Sequence, residues 1–146
     1  MYSRFWNRLS GSVLACCLIA LVTACSSDPV GHTVPVRGTV TVAGKQLKSG
    51  SIAFWPDADK GNSSKFEAGS PIDENGNYEL FTHGKVGAPL GAYKVTVSAQ
   101  EPSDPKNPYS RPKFLVPDAY RTKESTPLRI EVVNNPTPQA YEIIMK

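Results

Sequence analysis

Val34-Pro35-Val36-Arg37-Gly38-Thr39-Val40-Thr41-Val42-Ala43-Gly44-Lys45 is the stretch that decides the fold. Val34, Val36, Val40 and Val42 fall on one side of an extended chain, and Arg37, Thr39 and Thr41 on the other. That period of two is the mark of a strand with one buried face. Gly38 interrupts the buried row and points to a bulge or a close approach of another backbone. Ala43-Gly44-Lys45 is a turn. A chain that begins this way buries its apolar surface by pairing strands.

The same alternation recurs downstream. Ser51 to Trp55 reads as a strand, with Ile52 and Phe54 on one face and Ala53 and Trp55 on the other; Pro56 ends it. Asp57 to Ser64 is a polar loop. Phe66 to Ile72 is a short strand interrupted by Gly69 and Pro71. Asp73-Glu74-Asn75-Gly76-Asn77 is a tight turn, because Asn-Gly supplies the positive φ a hairpin needs. Tyr78 to Thr82 follows as a strand with Tyr78 and Leu80 inward. His83 to Gly91 is a Gly-rich connection. Tyr93, Val95 and Val97 alternate with Lys94, Thr96 and Ser98 in another strand. Glu101 to Pro127 holds six prolines, a density that excludes helix and central strand. Leu128, Ile130 and Val132 mark a strand, Asn134-Asn135-Pro136 a turn, and Ala140 to Met145 a last strand. Six or seven short strands with turns between them predict an all-β, antiparallel, immunoglobulin-like β-sandwich.

What precedes these strands is of a different kind. Arg4 and Arg8 flank an apolar run from Val13 to Val22. At about ten residues it is shorter than the roughly 20 that a membrane-spanning helix needs. A positive flank, a short apolar run and small residues at its exit describe a secretory signal. The residues Leu21-Val22-Thr23-Ala24-Cys25 resemble a bacterial lipobox, in which a cysteine after small residues is acylated and becomes the new N-terminus. The expected organisation is a signal segment over 1–24, a lipidated flexible tether over 25–33 and one domain over 34–146. Several acyl chains hold a protein stably to a bilayer where one holds it only marginally. Ser26 after the cysteine, rather than Asp, favours the outer membrane of the cell envelope in the lipoprotein class.

Removing Arg4 and Arg8 from the 16 basic residues leaves 14 against 13 acidic ones. So balanced a domain has no electrostatic pull toward nucleic acid. The three cysteines are Cys16, Cys17 and Cys25, so the domain itself carries no thiol and no disulfide. An exported domain without disulfides relies on its apolar core.

Motifs for chemistry are sparse. Asp57, Asp59, Asn62 and the 73–77 turn are clusters of oxygen atoms of the kind calcium takes, but the spacing does not fit a twelve-residue calcium loop. Asp, Asn and Gly also serve turn backbones, so no metal is expected. Gly84-Lys85-Val86-Gly87 lacks the earlier glycine and the following Ser or Thr of a phosphate loop. His32 lies in the tether, and His83 has no nucleophile elbow beside it. No catalytic residue and no cofactor is assigned. The candidate binding residues are Trp55, Tyr109, Arg111, Phe114 and Tyr120: aromatics beside cations, Lys113 among them, can stack on sugar rings or grip an extended peptide. The other reading is that these aromatics fold back onto the sandwich edge.

Val36 to Leu47, Ile52-Ala53-Phe54, Asp73 to Tyr78, Gly91 to Val97, Ala119-Tyr120 and Ser125 to Leu128, taken together in this order, resemble the carboxypeptidase-regulatory-like, or transthyretin-like, domain found in many small lipoproteins of planctomycete-type bacteria. The resemblance implies a seven-stranded, prealbumin-like sandwich and brings no activity with it. The expected function is a non-enzymatic structural or interaction role at the envelope, with the membrane, and envelope proteins or polysaccharide, as partners. A carbohydrate-binding module is the alternative, and an envelope hydrolase comes last.

Overall fold

The computed structural model describes residues 28–107 and 109–146. The signal segment 1–24 and Cys25 lie outside the described residues. The domain is all-β, with no α-helix among the described residues and ten strands in two sheets.

The Val34–Val42 alternation becomes β1 (Arg37–Val42), and β1 is paired along both edges. One edge is shared end to end by two partners. Gly38 and Thr39 pair antiparallel with β5 (Asn77–Glu79), and Thr41 and Val42 with β2 (Lys45–Gln46). Val40 joins the two, donating its N–H to the Gly76 carbonyl at 2.8 Å and accepting from the Leu47 N–H at 2.9 Å. The other edge takes β10 (Ile143–Met145), with Val40 opposite Ile143. This last pairing is parallel, which corrects the wholly antiparallel expectation. β10 reaches β1 only after the chain has crossed back from the second sheet over residues 133–142, so no hairpin imposes the antiparallel direction on this pair.

The second sheet has the order β7 (Lys85–Val86), β6 (Phe81–Thr82), β4 (Ala68–Ile72), β3 (Gly50–Pro56), β8 (Gly91–Ser98) and β9 (Arg129–Val132), antiparallel throughout. Pro71 is tolerated within β4 because β6 pairs only as far as Ala68 and Gly69. Beyond that point β4 is an edge, and a missing N–H breaks no ladder.

Seven strands were expected and ten are found. Lys45–Gln46 and Lys85–Val86 are two-residue strands, too short for any periodicity to reveal. Tyr78–Thr82 divides in two at the fully buried Leu80, where the chain leaves the first sheet for the second. The 73–77 turn likewise joins strands of different sheets. Gly76 adopts φ 77°, as Asn-Gly leads one to expect.

The core lies between the sheets. Val36, Val40, Ile143 and Met145 face Ile52, Phe54, Val95, Val97 and Val132, all essentially without solvent contact. Phe54 touches Tyr78 of the first sheet (6.2 Å between ring centroids) and Tyr93 of its own (5.9 Å), both tilted, in the favourable range for aromatic pairs. Gly38 proves to be a close approach: a Cβ there would lie 2.1 Å from the Tyr141 carbonyl oxygen. The Tyr78 hydroxyl donates to that same oxygen at 2.6 Å.

Residues 28–34 do not hang free. The Lys85 ammonium binds both the Asp28 carboxylate and the Gly31 carbonyl. The Thr33 hydroxyl donates to the Val86 carbonyl at 2.9 Å, and Val34 and Ala88 exchange two backbone bonds at 3.0 Å. The Lys85 partner holds the Asp28 carboxyl below its ordinary value, with the Val30 N–H assisting.

Tyr78→Phe leaves the Tyr141 carbonyl without its donor and is expected to cost about 1–3 kcal/mol. Gly38→Ala, which must displace that carbonyl, should cost more. Urea unfolding with an unchanged m-value checks both. Burial raises the Tyr78 and Tyr93 phenols above their ordinary 10.0. Their protonated forms therefore favour the folded state below that value, and stability is expected to fall as pH rises past it. Urea midpoints at about pH 9 and about pH 11 measure the loss, which Tyr78→Phe should reduce.

Candidate functional site

The outward side of β3, β8 and β9 follows from register. Trp55 pairs with Lys94, and Lys94 pairs with Arg129, so an aromatic and two cations form one row across three strands. The Trp55 indole N–H donates to the Thr96 hydroxyl at 2.9 Å, which ties the ring to the sheet's outer face. The Lys123 ammonium stands 5.6 Å from the ring centroid, within cation–π reach.

At the end of this row sits Asp57. Pro56 closes β3, and the next residue turns inward until its side chain is only 3 % exposed. Lys94 Nζ lies 3.5 Å from Asp57 Oδ1, and Arg129 Nε lies 3.7 Å from Oδ2. Oδ1 has no hydrogen-bond partner, so the carboxylate is balanced by charge but not saturated. Asp57, Lys60, Ala92, Arg129, Ile130 and Glu131 line an open cleft of about 380 Å³ here. Oδ1 has essentially no solvent contact, so a molecule in the cleft would meet the exposed Lys60, Arg129 and Glu131 rather than this oxygen.

The Pro-rich segment is a finger. Its base continues β8: Gln100 bridges Phe114, the Glu101 N–H donates to the Lys113 carbonyl at 2.9 Å, and the Leu115 N–H to the Ala99 carbonyl at 3.0 Å. Val116 is buried below it. Beyond the base, Tyr109 is 96 % exposed and Arg111 is also exposed. The return half lies back on the sheet through a single 3-10 turn, Asp118–Tyr120. Thr126 fastens it, donating from its hydroxyl to the Val95 carbonyl at 2.5 Å.

The five candidate residues therefore divide. Tyr120 is half-buried against the core, and Phe114 lies under the Arg121 guanidinium, 3.6 Å from the ring centroid. Trp55 is braced by Thr96 and Lys123. Tyr109 and Arg111 alone stand clear, on the finger. Sequence reading passed over Arg121 and Lys123, which brace the aromatics, and over the grouping of Asp57, Lys94 and Arg129. Lys94 and Arg129 were readable as outward residues, but only pairing register brings them together.

The other oxygen clusters serve the backbone. Asp73 accepts the Asn75 and Asn77 N–H groups, both at 2.8 Å, and the Asn77 side-chain amide at 3.0 Å. These bonds, that from the Asn77 side chain foremost, hold its carboxyl below the ordinary range. Asn62 bridges the Ala92 carbonyl and the Ser64 N–H. Among the described residues no three His, Cys, Asp or Glu side chains are grouped as a metal site. Gly84-Lys85-Val86-Gly87 forms a tight turn and β7, and His83 stacks on Phe66 at 4.8 Å. No family model, no curated protein and no solved structure matches the chain.

Asp57→Ala removes one of the two carboxylates beside Lys94, which keeps Asp59, and the carboxylate beside Arg129, and both cations keep part of their hydration. The expected loss is about 1–2 kcal/mol, below that of a fully buried pair. Asp57→Asn should lose less than Asp57→Ala, and thermal unfolding of both variants decides it.

Proposed function

We propose that this chain is a lipid-anchored β-sandwich of a bacterial cell envelope, with a structural or binding role and no catalysis. The anchor rests on Leu21-Val22-Thr23-Ala24-Cys25, with the basic flank and short apolar run before it. The sandwich is taken to be of the transthyretin-like kind, with seven principal strands and the two-residue strands as additions. The observation that carries the binding role is the finger: its base is hydrogen-bonded to β8, yet Tyr109 and Arg111 are displayed to solvent at its tip. A tyrosine held clear of its own domain contributes little to stability and is suited to a partner's surface. Envelope protein is the favoured partner.

The row of Trp55, Lys94 and Arg129 ending at the unsaturated Asp57 supports a second reading, a carbohydrate-binding module. A sugar offers hydroxyl groups to the exposed Lys60, Arg129 and Glu131 of the cleft beside this row.

Cys25→Ala is expected to leave an unprocessed precursor without acyl mass. A wild-type mature protein that begins elsewhere and carries no lipid rejects the anchor. Crosslinking in intact envelopes should yield a partner that is lost in Tyr109→Ala and retained in Trp55→Ala. Glycan-array binding abolished by Trp55→Ala would favour the carbohydrate reading instead.

A further inference from the structure

We infer that the domain stands on the bilayer by one particular end and points its finger away from it. The inference rests on the Cys25 anchor. Cys25 and Asp28 are three residues apart, and three peptide units reach at most about 11 Å. Asp28 is itself fixed, since Lys85 binds its carboxylate and the nearby Gly31 carbonyl. The Cys25 backbone therefore lies within about 11 Å of the Asp28 backbone, and the acyl chains start from there. So short a leash brings that end of the sandwich to the lipid.

That end carries apolar surface. Pro29, Val30, Phe66 and Pro89 form the apolar part of a cleft whose other side is polar, from Asn62 to Lys65. Around it Phe81, Val86 and Leu90 are exposed by 42, 46 and 42 %. Phe81 and Val86 are register partners, Thr33 is bonded to Val86, and Leu90 follows Pro89. Three large exposed apolar side chains at the end that carries the clasp suit the interfacial zone of a bilayer, where each adds to the grip of the acyl chains.

The finger leaves from the opposite end. β8 begins at Gly91, just after Pro89 and Leu90, and ends at Ser98, and the finger continues from there. Eight residues of strand cover about 25 Å. With the clasp end on the lipid, β8 carries the base of the finger, and with it Tyr109 and Arg111, toward the side away from the bilayer.

The test uses single probes. The sequence has no cysteine after Cys25, so Val86→Cys, Leu90→Cys or Tyr109→Cys each places one fluorophore on the full acylated protein. Reconstitution into phosphatidylcholine–phosphatidylglycerol vesicles carrying a lipid-bound quencher should quench the Val86 and Leu90 probes several-fold more than the Tyr109 probe. Equal or reversed quenching at both near sites would overturn the orientation. Adding Lys85→Ala to each labelled chain should narrow the difference, and an unchanged difference would remove the clasp from the explanation. Mass spectrometry of the same samples separates the two levels. Absent acyl mass sinks the anchor, and the inference with it; acyl mass with the wrong quenching pattern sinks the orientation alone.

Discussion

One carbonyl oxygen, that of Tyr141, fixes how the last segment of the chain docks on the first sheet. It sits where a side chain at position 38 would be, and it takes its proton from Tyr78. Gly38 admits the crossing segment, the Tyr78 hydroxyl satisfies its polar group, and β10 can then run alongside β1. The Tyr78 ring, fixed at its hydroxyl end, meets Phe54 of the other sheet. A buried carbonyl without a donor costs more than the bond gains, so all of these residues must agree at once. Tyr141 is tied at its other end too, its hydroxyl bonding the Val133 backbone.

Local pattern carried the reading a long way where a strand is long and one-sided. Val36, Val40, Phe54, Val95 and Val97 were legible as core because alternation is a property of the strand alone. Gly38 was legible because a glycine inside an apolar row needs a reason. What stayed hidden depends on partners distant in sequence. The parallel partner of β1 and the division at Leu80 follow from how the sheets are stacked. Lys85, which looked like part of a loop, acts through its pairing with Asp28. At the site, the outward direction of Trp55 was readable. The meeting of Asp57, Lys94 and Arg129 was not, since their positions span three strands.

The sandwich has two unlike ends. At one, the loops 57–67 and 83–90 gather around the segment that begins at Asp28; at the other, β8 runs on into the finger. The ends are kept apart by the same hydrogen-bonded strands that make the core, so whatever is gripped at one is held at a fixed remove from the other. In this design the specificity resides in loops and the rigidity in the sheet.

The parallel strand has a bearing on how the molecule comes into being. Val40 and Ile143 are neighbours in space although roughly a hundred residues of chain separate them. A polypeptide made amino end first keeps β1 half-dressed until β10 arrives, its open flank a temptation for any passing strand. The arrival of β10 therefore seals an edge that would otherwise invite pairing with another chain.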